Sequence, residues 1–450
     1  MVKVLIPSGA LGISVDPDAL ERGLRMRPDI IAIDGGSTDS GPHYLGTGSC
    51  KYSRASVKRE WRLLMQARAR LGVPLLVGTA GTCGTDAMVD WLLDITREVA
   101  VEEGQSLRVA TLACSQNPAA TAQAYEAGTL TPLPGAMPLN GEDIAACSNI
   151  VALAGAEQIN AALATGAEIV IAGRSTDTAV IAALPLSRGC HPGGAWHGAK
   201  IGECGALATN NPATGAILIE FDAEGFTVRP SGEGVRATPL TVSAHMLYEN
   251  ADPFILHEPG GQLDVRNATY TAVEGDTSVR VTGSVWHPSE RYTVKLEGAR
   301  LAGYQTTSLV LVRDRRYVEA IDQWIGQLRE AFEQREGGNI AGAYSLEFRL
   351  IGSNATLGAL ETRRHDAHEI GVLSVITAAT QQAANDIAKL LNPYLLHYAL
   401  TPNEPMPTFA FPFSPPEMER GGLHEFVLNH VMTLETPMEA FALDVVEVGP

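Results

Sequence analysis

Residues 30–40 read IIAIDGGSTDS, a short apolar run that leads directly into glycine, hydroxyl and carboxylate side chains. Residues 169–178 repeat this order as IVIAGRSTDT. Uninterrupted apolar runs rich in β-branched residues are typical of strands that helices cover on both faces. The two stretches therefore predict a buried parallel sheet whose strands end in loops that carry serine, threonine and aspartate.

Similar apolar runs recur through the first half of the chain. We expect strands at residues 2–8, 29–34, 74–78, 108–113 and 168–172. Segments with helical spacing separate these runs: Asp16 and Pro17 form a helix start, and one long helix is expected over residues 140–164. The alternation predicts an α/β fold, with a Rossmann-like, doubly wound and mostly parallel sheet in residues 1–215.

Residues 216–450 differ in character and predict a smaller α+β domain with a mixed or antiparallel sheet. Alternating polar and apolar residues indicate half-exposed strands at 216–222, 225–229, 278–286 and 292–296. Further elements are expected at 306–313, 317–334, 343–350, 376–391 and 426–434. The helix at 317–334 carries its apolar residues on one stripe, which indicates core packing. The proline-rich segment 402–416 is expected to be extended along a surface or a subunit boundary.

The composition limits the function classes. The chain has 450 residues, of which 45% are hydrophobic and 19% charged, as in ordinary globular proteins. Its formal net charge of −18 argues against a nucleic-acid partner, because phosphate backbones are bound by dense lysine and arginine. We find no apolar run long enough for a membrane span, no secretory signal and no Cys-x-x-Cys pair among the six cysteines. We therefore expect a cytoplasmic enzyme with reduced thiols, and such enzymes are commonly homo-oligomers.

The polar loops carry the candidate catalytic residues. A third loop, residues 78–86 with the sequence GTAGTCGTD, resembles the other two. Ligands of open α/β sheets bind outside the carboxyl ends of the strands, so Asp39, Asp86 and Asp177 are candidates for general acid or base, or for holding a magnesium ion. Glycines let a ligand approach the backbone, and hydroxyls donate hydrogen bonds to anionic oxygens. The candidate substrate-binding residues in these loops are Ser8, Gly9, Gly36, Ser37, Thr38, Thr79, Ser175 and Thr176.

Helix capping is the alternative explanation for these aspartates. Asp86 precedes an apolar helix in a sequence that suits an N-cap, and Asp177 could cap the short helix that follows it. Asp39 suits a cap less well, because Gly41 and Pro42 follow it closely. Both explanations stay open for Asp86 and Asp177, whereas the pattern favours a functional role for Asp39.

Arg174 is the candidate clamp for a substrate carboxylate. Its planar guanidinium suits paired hydrogen bonds with a carboxylate, and an ion pair with a neighbouring acid is the alternative. Residues 365–369 cluster imidazoles and acids without the spacing of a zinc site, and His368 is the candidate catalytic histidine there, with solvated loop charge as the alternative. His245 lies in an apolar stretch and is expected to be structural. The loop after the first strand lacks Gly-x-Gly-x-x-Gly, so a nicotinamide cofactor is unsupported.

Several blocks of the sequence resemble the acyclic terpene utilisation protein A (AtuA-like) family. They are residues 4–9, 34–42, 171–174, 200–206, 292–300 and 410–415. The resemblance implies catabolism of branched acyclic acids handled as coenzyme A thioesters, and so a small carboxylate or acyl-CoA substrate. Relatives often differ at the pair before Asp177, which implies that Asp177 is the essential group rather than Ser175 or Thr176. Some relatives carry or accompany a small extra domain, which implies a small companion protein as a candidate partner.

Together these features lead to the hypothesis of a lyase of the hydratase or dehydratase type. Asp39 and Asp177 would act as the acid–base pair and Arg174 would hold the carboxylate, while backbone amides stabilise the enolate oxygen. One alternative is a magnesium-dependent ligase or phosphoryl-transfer enzyme. Another is a non-catalytic subunit of a carboxylic-acid-degrading complex, docked through residues 402–416.

Overall fold

The structure is a computed structural model that describes residues 1–212, 215–273, 275, 277–363, 366–403, 405 and 409–450. The chain forms two compact units, one of Met1–Arg300 with Phe426–Pro450 and the other of Leu301–Glu425. Within the described residues, no helix has the length and apolar character needed to cross a membrane.

The strands follow one another along the chain with helices between most of them. Those that begin before residue 215 are β1 (Val2–Ile6), β2 (Ile30–Asp34), β3 (Leu75–Gly78), β4 (Leu107–Ala113), β5 (Ser115–Gln116), β6 (Leu130–Pro132), β7 (Asn149–Ala152) and β8 (Ile169–Ala172). Those between residues 215 and 300 are β9 (Ile217–Phe221), β10 (Gly225–Pro230), β11 (Ile255–Glu258), β12 (Gly261–Asp264), β13 (Thr269–Val273), β14 (Ser278–Thr282), β15 (Val285–Pro288) and β16 (Tyr292–Val312), which continues into the second unit. The remaining strands are β17 (Tyr344–Ile351), β18 (Ile370–Ala378), β19 (Phe409–Ala410), β20 (Met418–Leu434) and β21 (Ala442–Val448).

The helices begin at prolines or capping residues in many cases. Those of the first unit are α1 (Pro17–Arg25), α2 (Pro42–Thr47), α3 (Arg54–Leu71), α4 (Asp86–Glu103), α5 (Pro118–Glu126), α6 (Gly141–Ala145), α7 (Ala156–Ala164), α8 (Asp177–Ser187), α9 (Pro192–Gly202) and α10 (Pro239–Ala244). Those of the second unit are α11 (Arg315–Glu319), α12 (Ile321–Glu336) and α13 (Gln381–His397). Short 3₁₀ helices lie at Thr38–Ser40, Gly205–Ala208, His245–Leu247 and Gly358–Leu360.

A large mixed sheet forms the centre of the first unit. Its strand order is β13-β14-β10-β9-β1-β2-β3-β8-β4-β21. The middle strands β1, β2, β3, β8 and β4 run parallel, and the pairs on either side of them are antiparallel. The carboxyl ends of the parallel strands therefore lie along one edge, which is where the polar loops begin.

Helices cover both faces of these parallel strands, as the apolar runs predict. Val4 and Ile30 belong to a core with helices α7, α8 and α9, whereas Leu5 and Ile31 belong to a second core with α1, α3 and α4. Consecutive residues of a strand point to opposite faces, so a strand covered on both sides is apolar at most positions. The predicted α/β class and the predicted strands of this sheet are confirmed.

The strand order differs from that of a doubly wound sheet. In a doubly wound sheet the strand order reverses at the first strand, so parallel strands lie on both sides of it. Here the antiparallel strand β9 occupies that side of β1, with Ile6 paired to Ile217 and Val2 to Phe221. The first unit consequently runs on to Arg300 rather than ending near residue 215, because β9, β10, β13 and β14 complete its sheet.

Three predicted elements were wrong. The strand predicted at 278–286 is divided into β14 and β15, which belong to different sheets. The single helix over residues 140–164 is replaced by helix α6, strand β7 and helix α7. Ile150 and Val151 lie in β7, where they pair with Gly298 and Glu297 of strand β16, and tertiary pairing here overrides helical spacing. The helix predicted at 317–334 is divided at Ala320 into α11 and α12. The apolar stripe of α12 is buried in the core of the second unit, as predicted.

The second unit combines an antiparallel sheet with two longer helices. Strand β18 pairs with β17 on one side and with Tyr304–Val312 of β16 on the other. Helices α12 and α13 supply apolar side chains to the same core as these strands, among them Trp324 and Leu391. The α+β character predicted for the second half is therefore observed in this unit.

Candidate active site

A cavity of about 570 Å³ lies at the carboxyl edge of the parallel strands in the first unit. Charged side chains dominate its wall. The acidic ones are Asp39, Asp177, Glu203, Glu249 and Glu258, and the basic ones are Arg174, Lys200 and Lys295. Thr176, Thr178, Leu153, Asn250 and Leu256 complete the lining. Such a wall suits a small polar ligand better than an extended apolar one.

The three loops that resemble one another in sequence meet at this edge. The backbone amide of Gly35 donates to the carbonyl of Gly78 at 2.7 Å, and that of Thr79 donates to Gly173 at 2.8 Å. The amide of Arg174 donates to Gly84 at 2.9 Å. These bonds fix the loops after β2, β3 and β8 relative to one another, so side chains far apart in sequence share one site.

Gly84 is required where two of these loops cross. Its φ is +63°, and a Cβ placed on it would lie 2.2 Å from the backbone nitrogen of Arg174. A side chain at this position would therefore push apart the loops after β3 and β8. Glycine is needed in this turn because it lets two backbone segments approach each other closely, not because a ligand binds there.

Arg174 is buried and every N–H of its guanidinium has a partner in the protein. Nε donates to Glu297 at 3.0 Å, Nη1 donates to Thr79 and to the carbonyl of Ser175, and Nη2 donates to Thr38 and Glu297. The ion pair with an acid is thus the arrangement present, and the guanidinium has no N–H left for a bidentate clamp. Arg174 instead holds the loops and Glu297 in position.

Glu297 is the buried counter-ion of Arg174. It also accepts hydrogen bonds from Thr38 at 2.8 Å and from Lys295 at 3.0 Å. Burial raises the pKa of this carboxyl, but Arg174 and Lys295 outweigh that effect and lower it to about 2. The carboxylate is therefore ionised at every pH at which the protein is expected to work.

Asp177 stands at the first position of helix α8 with its carboxyl group at the cavity wall. The cap of this helix is Thr176, whose hydroxyl accepts from the amide of Ala179 at 3.2 Å, so Asp177 is not needed for capping. Burial raises the pKa of Asp177, with Arg174 acting against it and Asp39 adding to it. Asp177 Oδ1 lies 3.6 Å from Arg174 Nη1.

Asp39 lies on the opposite loop, after strand β2. Its carboxylate accepts a hydrogen bond from the hydroxyl of Ser37, and its side chain is exposed at the cavity. Of the residues predicted for the site, Asp39, Arg174, Thr176 and Asp177 line the cavity together. Two aspartates from the two similar loops therefore face the same space.

The acidic lining residues Glu203, Glu249 and Glu258 were not among the predicted site residues, and neither was Asp34, which ends strand β2 and does not line the cavity. Burial raises the pKa of Asp34 well above its usual range; its Oδ2 accepts from the Gly36 amide at 3.0 Å, and Oδ1 has no hydrogen-bond partner among the described residues. Burial raises the pKa of Glu258 to about 7, although the hydrogen bond donated by the Thr178 hydroxyl acts to lower it. Burial also raises the pKa of Glu203 to about 8, although Lys200 pairs with it. The only sequence signal for Asp34 is a charged residue ending an apolar strand.

Several predicted residues have structural partners instead. Asp86 Oδ1 accepts from the amides of Cys114 and Ser115, at 2.9 and 3.0 Å, so this carboxylate ties helix α4 to the end of β4. Thr79 is buried and its hydroxyl donates to the carbonyl of Ser175 at 3.2 Å. Gly36, with φ +113°, faces Thr82 rather than the cavity. These contacts hold the loops that form the site.

The remaining predicted residues lie at other positions. Ser8 is buried, with its hydroxyl 3.4 Å from the carbonyl of Ala10, and a Cβ on Gly9 would lie 3.2 Å from the carbonyl of Cys204. Ser175 is fully buried, and its Oγ has no hydrogen-bond partner in the described part of the chain. His368 lies in the second unit, beside Arg313 and Asp366. His365 is outside the described residues.

Within the described ranges, one group of His, Cys or acidic side chains has ligand atoms close enough together to hold a metal ion. It consists of Glu203, Cys204 and His245. One ligand atom from each residue lies within 4.8 Å of the other two. Glu203 also lines the cavity, so this group adjoins the candidate site.

A family model described as acyclic terpene utilisation family protein AtuA matches residues 55–189 and 191–403. No curated protein and no solved structure matches the chain. The matched segments contain most of the cavity wall, including Arg174, Asp177, Glu203 and Glu258, while Asp34 and Asp39 precede them.

Proposed function

The chain belongs to the acyclic terpene utilisation AtuA family, and on that premise we propose that it is a lyase of the hydratase or dehydratase type. Its substrate would be a small branched carboxylic or hydroxy acid, or the coenzyme A thioester of such an acid, in a catabolic route. The observation that carries the proposal is a cavity whose wall brings several carboxyl groups together. Asp39 and Asp177 lie on its wall, and Glu258 has a pKa of about 7.

Addition and removal of water need a base and an acid in the same site. In dehydration the base takes the proton from the carbon next to the carboxyl or thioester group, and the C–O bond of the hydroxyl group breaks as the C=C bond forms. The departing hydroxide takes a proton from the acid and leaves as water. A carboxylate such as Asp39 can serve as the base. Burial raises the pKa of Glu258 to about 7, so this carboxyl group can supply the proton near neutral pH, and burial shifts the pKa of Asp177 in the same direction.

Cations at the wall support the choice of an anionic substrate. Lys200 and Lys295 both face the cavity, and Lys295 is partly exposed there. Each ammonium group keeps N–H donors beyond the one it gives to Glu203 or Glu297, and these can bind a carboxylate or a thioester oxygen. Arg174 contributes by positioning, because its own donors are occupied.

The test is replacement of each aspartate by asparagine, which keeps the size of the side chain and removes its proton transfer. We expect Asp39→Asn and Asp177→Asn each to lower turnover by roughly 10²- to 10⁴-fold, the usual contribution of a positioned acid or base. Melting temperatures should stay near that of the wild type. Asp94→Asn, on the exposed face of α4 and paired with Arg97, is the matched control.

The assay does not require the direction of reaction to be known. Hydroxy acids, unsaturated acids and their coenzyme A thioesters are incubated with the protein in deuterated water, and nuclear magnetic resonance follows exchange at the α-carbon and gain or loss of water. Wild-type turnover in both aspartate variants would refute the assigned roles. Thermal stabilisation that requires a nucleotide together with magnesium would replace the lyase with a ligase or phosphoryl-transfer enzyme.

A further inference from the structure

Glu203, Cys204 and His245 come together from two different parts of the first unit. Glu203 and Cys204 follow helix α9, and His245 begins the 3₁₀ helix after α10. One ligand atom from each lies within 4.8 Å of the other two. The turn after Cys204 packs closely against the loop that follows β1, since Gly205 has φ +60° and a Cβ on it would lie 3.0 Å from the backbone nitrogen of Gly9.

His245 has a buried ring nitrogen without a partner in the described part of the chain. The residue is 4% exposed, and its Nε2 has no hydrogen-bond partner among the described residues. The ring bonds through its other nitrogen to the backbone of Lys200, and Tyr248 stacks on it with ring centroids 5.6 Å apart. Metal-binding histidines are held in this way, with one nitrogen on a backbone carbonyl and the other free for the ion. A buried nitrogen without a partner otherwise costs free energy.

The charges around the group favour a cation. Five acidic side chains line the adjoining cavity, against Arg174, Lys200 and Lys295. Arg174 and Lys295 already pair with Glu297, which lies behind the wall. Arg174 also lies 3.6 Å from Asp177, and Lys200 pairs with Glu203. Acidic side chains still outnumber basic ones on the wall, and a divalent ion would offset that difference.

We propose that Glu203, Cys204 and His245 bind a divalent transition-metal ion, with zinc the ion that these donors suit best. A thiolate and an imidazole select zinc or cobalt over magnesium, whose ligands are oxygen atoms. Three protein ligands with a fourth position for water or substrate are the pattern of catalytic zinc sites. Binding forms the metal–sulfur bond and releases the thiol proton of Cys204 to solvent.

The geometry needs only local adjustment. Bonds of about 2.0–2.3 Å in a tetrahedral arrangement place ligand atoms about 3.5 Å apart. Rotation of the Glu203 and Cys204 side chains closes the difference from the present separation. The inference is independent of the reaction proposed above, because metal binding is measured without turnover.

The experiment uses the full chain, stripped of metal with a chelator and titrated with cobalt(II). We expect one ion per chain and a thiolate-to-cobalt charge-transfer band in the near ultraviolet, which zinc then removes. Cys204→Ser should abolish the band, and His245→Ala should weaken cobalt binding by roughly 100-fold or more. Cys190→Ser is the matched control: Cys190 is buried and its thiol bonds to the carbonyl of Phe221, so this variant should keep the band.

A second measurement on the wild type covers the case in which Cys204→Ser does not fold. Zinc should slow the alkylation of Cys204, located by mass spectrometry, and should leave the rate at Cys50 unchanged. Failure of the wild type to bind cobalt or zinc overturns the proposal. Binding without a thiolate band, or a band that Cys204→Ser leaves intact, overturns it as well, because the ion would then lie elsewhere.

Discussion

Replacing Glu297 by glutamine tests whether the buried ion pair with Arg174 holds the site together. Glutamine keeps the size of the side chain, but its single oxygen can accept from only one of Thr38 and Lys295, which bond to different oxygens of Glu297. It removes the negative charge opposite Arg174, whose guanidinium is buried within the protein. The variant therefore leaves a buried cation without its counter-ion.

Two independent routes give the size of the effect. The pKa of Glu297 is lowered to about 2 from its usual 4.5, and at about 1.4 kcal/mol for each pH unit this corresponds to about 3 kcal/mol. Breaking one partner of a buried pair costs about 3–5 kcal/mol in other proteins. Because the folded pKa is the lower one, the stabilisation is present above pH 4.5 and is lost as the pH falls toward 2.

The assay is denaturant unfolding of wild type and variant at neutral pH and at pH 3. We expect Glu297→Gln to lose about 3 kcal/mol at neutral pH and a smaller amount at pH 3. Glu98→Gln is the control: the pKa of Glu98 is also lowered to about 2, first of all by its hydrogen bond from Arg54, but this carboxylate lies in solvent where pairing stabilises little. A loss in Glu297→Gln no larger than in Glu98→Gln would refute the reasoning.

Two further predictions concern stability. Burial raises the pKa of Glu258 to about 7, so the wild-type protein loses stability as the pH rises from 4.5 through 7 and this carboxyl group ionises. Glutamine at this position cannot ionise. The unfolding free energy of Glu258→Gln relative to wild type should therefore increase by about 1–3 kcal/mol between pH 5 and pH 8. An advantage that does not change with pH would contradict this. Gly84→Ala should lower the free energy of unfolding by more than about 2 kcal/mol, because the added Cβ would clash with the backbone of Arg174. Gly104 has a similar φ of +62° but open space around it, so Gly104→Ala should lower that free energy by only about 1 kcal/mol. Equal losses in thermal unfolding would show that backbone strain, not the clash, decides the effect.

The parallel strands could be predicted from the sequence because local pattern and burial agree there. Most positions of each strand are apolar, and this follows from helices on both faces. Strand β7 could not be predicted in the same way. Its Ile150 and Val151 pair with β16, which is far away in sequence, and the preceding capping residues Asn140 and Asp143 imitate the start of a longer helix.

The candidate site was accessible to sequence reasoning only in part. Asp39 and Asp177 were found because each follows a strand of the same pattern, and both line the cavity. Lys200 lies in helix α9, Glu203 follows that helix and Glu258 ends strand β11, and no periodicity at these places distinguishes the three residues from surface charge. Their positions depend on how later segments fold back onto the sheet, and this is not encoded in any short stretch.

The pairing of β1 with β9 has a consequence for the order of events during synthesis. Val2 of β1 pairs with Phe221 of β9, so about two hundred residues are synthesised between the first strand and its antiparallel partner. At ribosomal rates of about 5–20 residues per second, that interval lasts roughly 10–40 s. During this time β1 presents an unpaired edge of apolar residues, which is the kind of surface that chaperones protect and that other nascent chains can join. Completion of the sheet is therefore set by translation as much as by the intrinsic speed of folding.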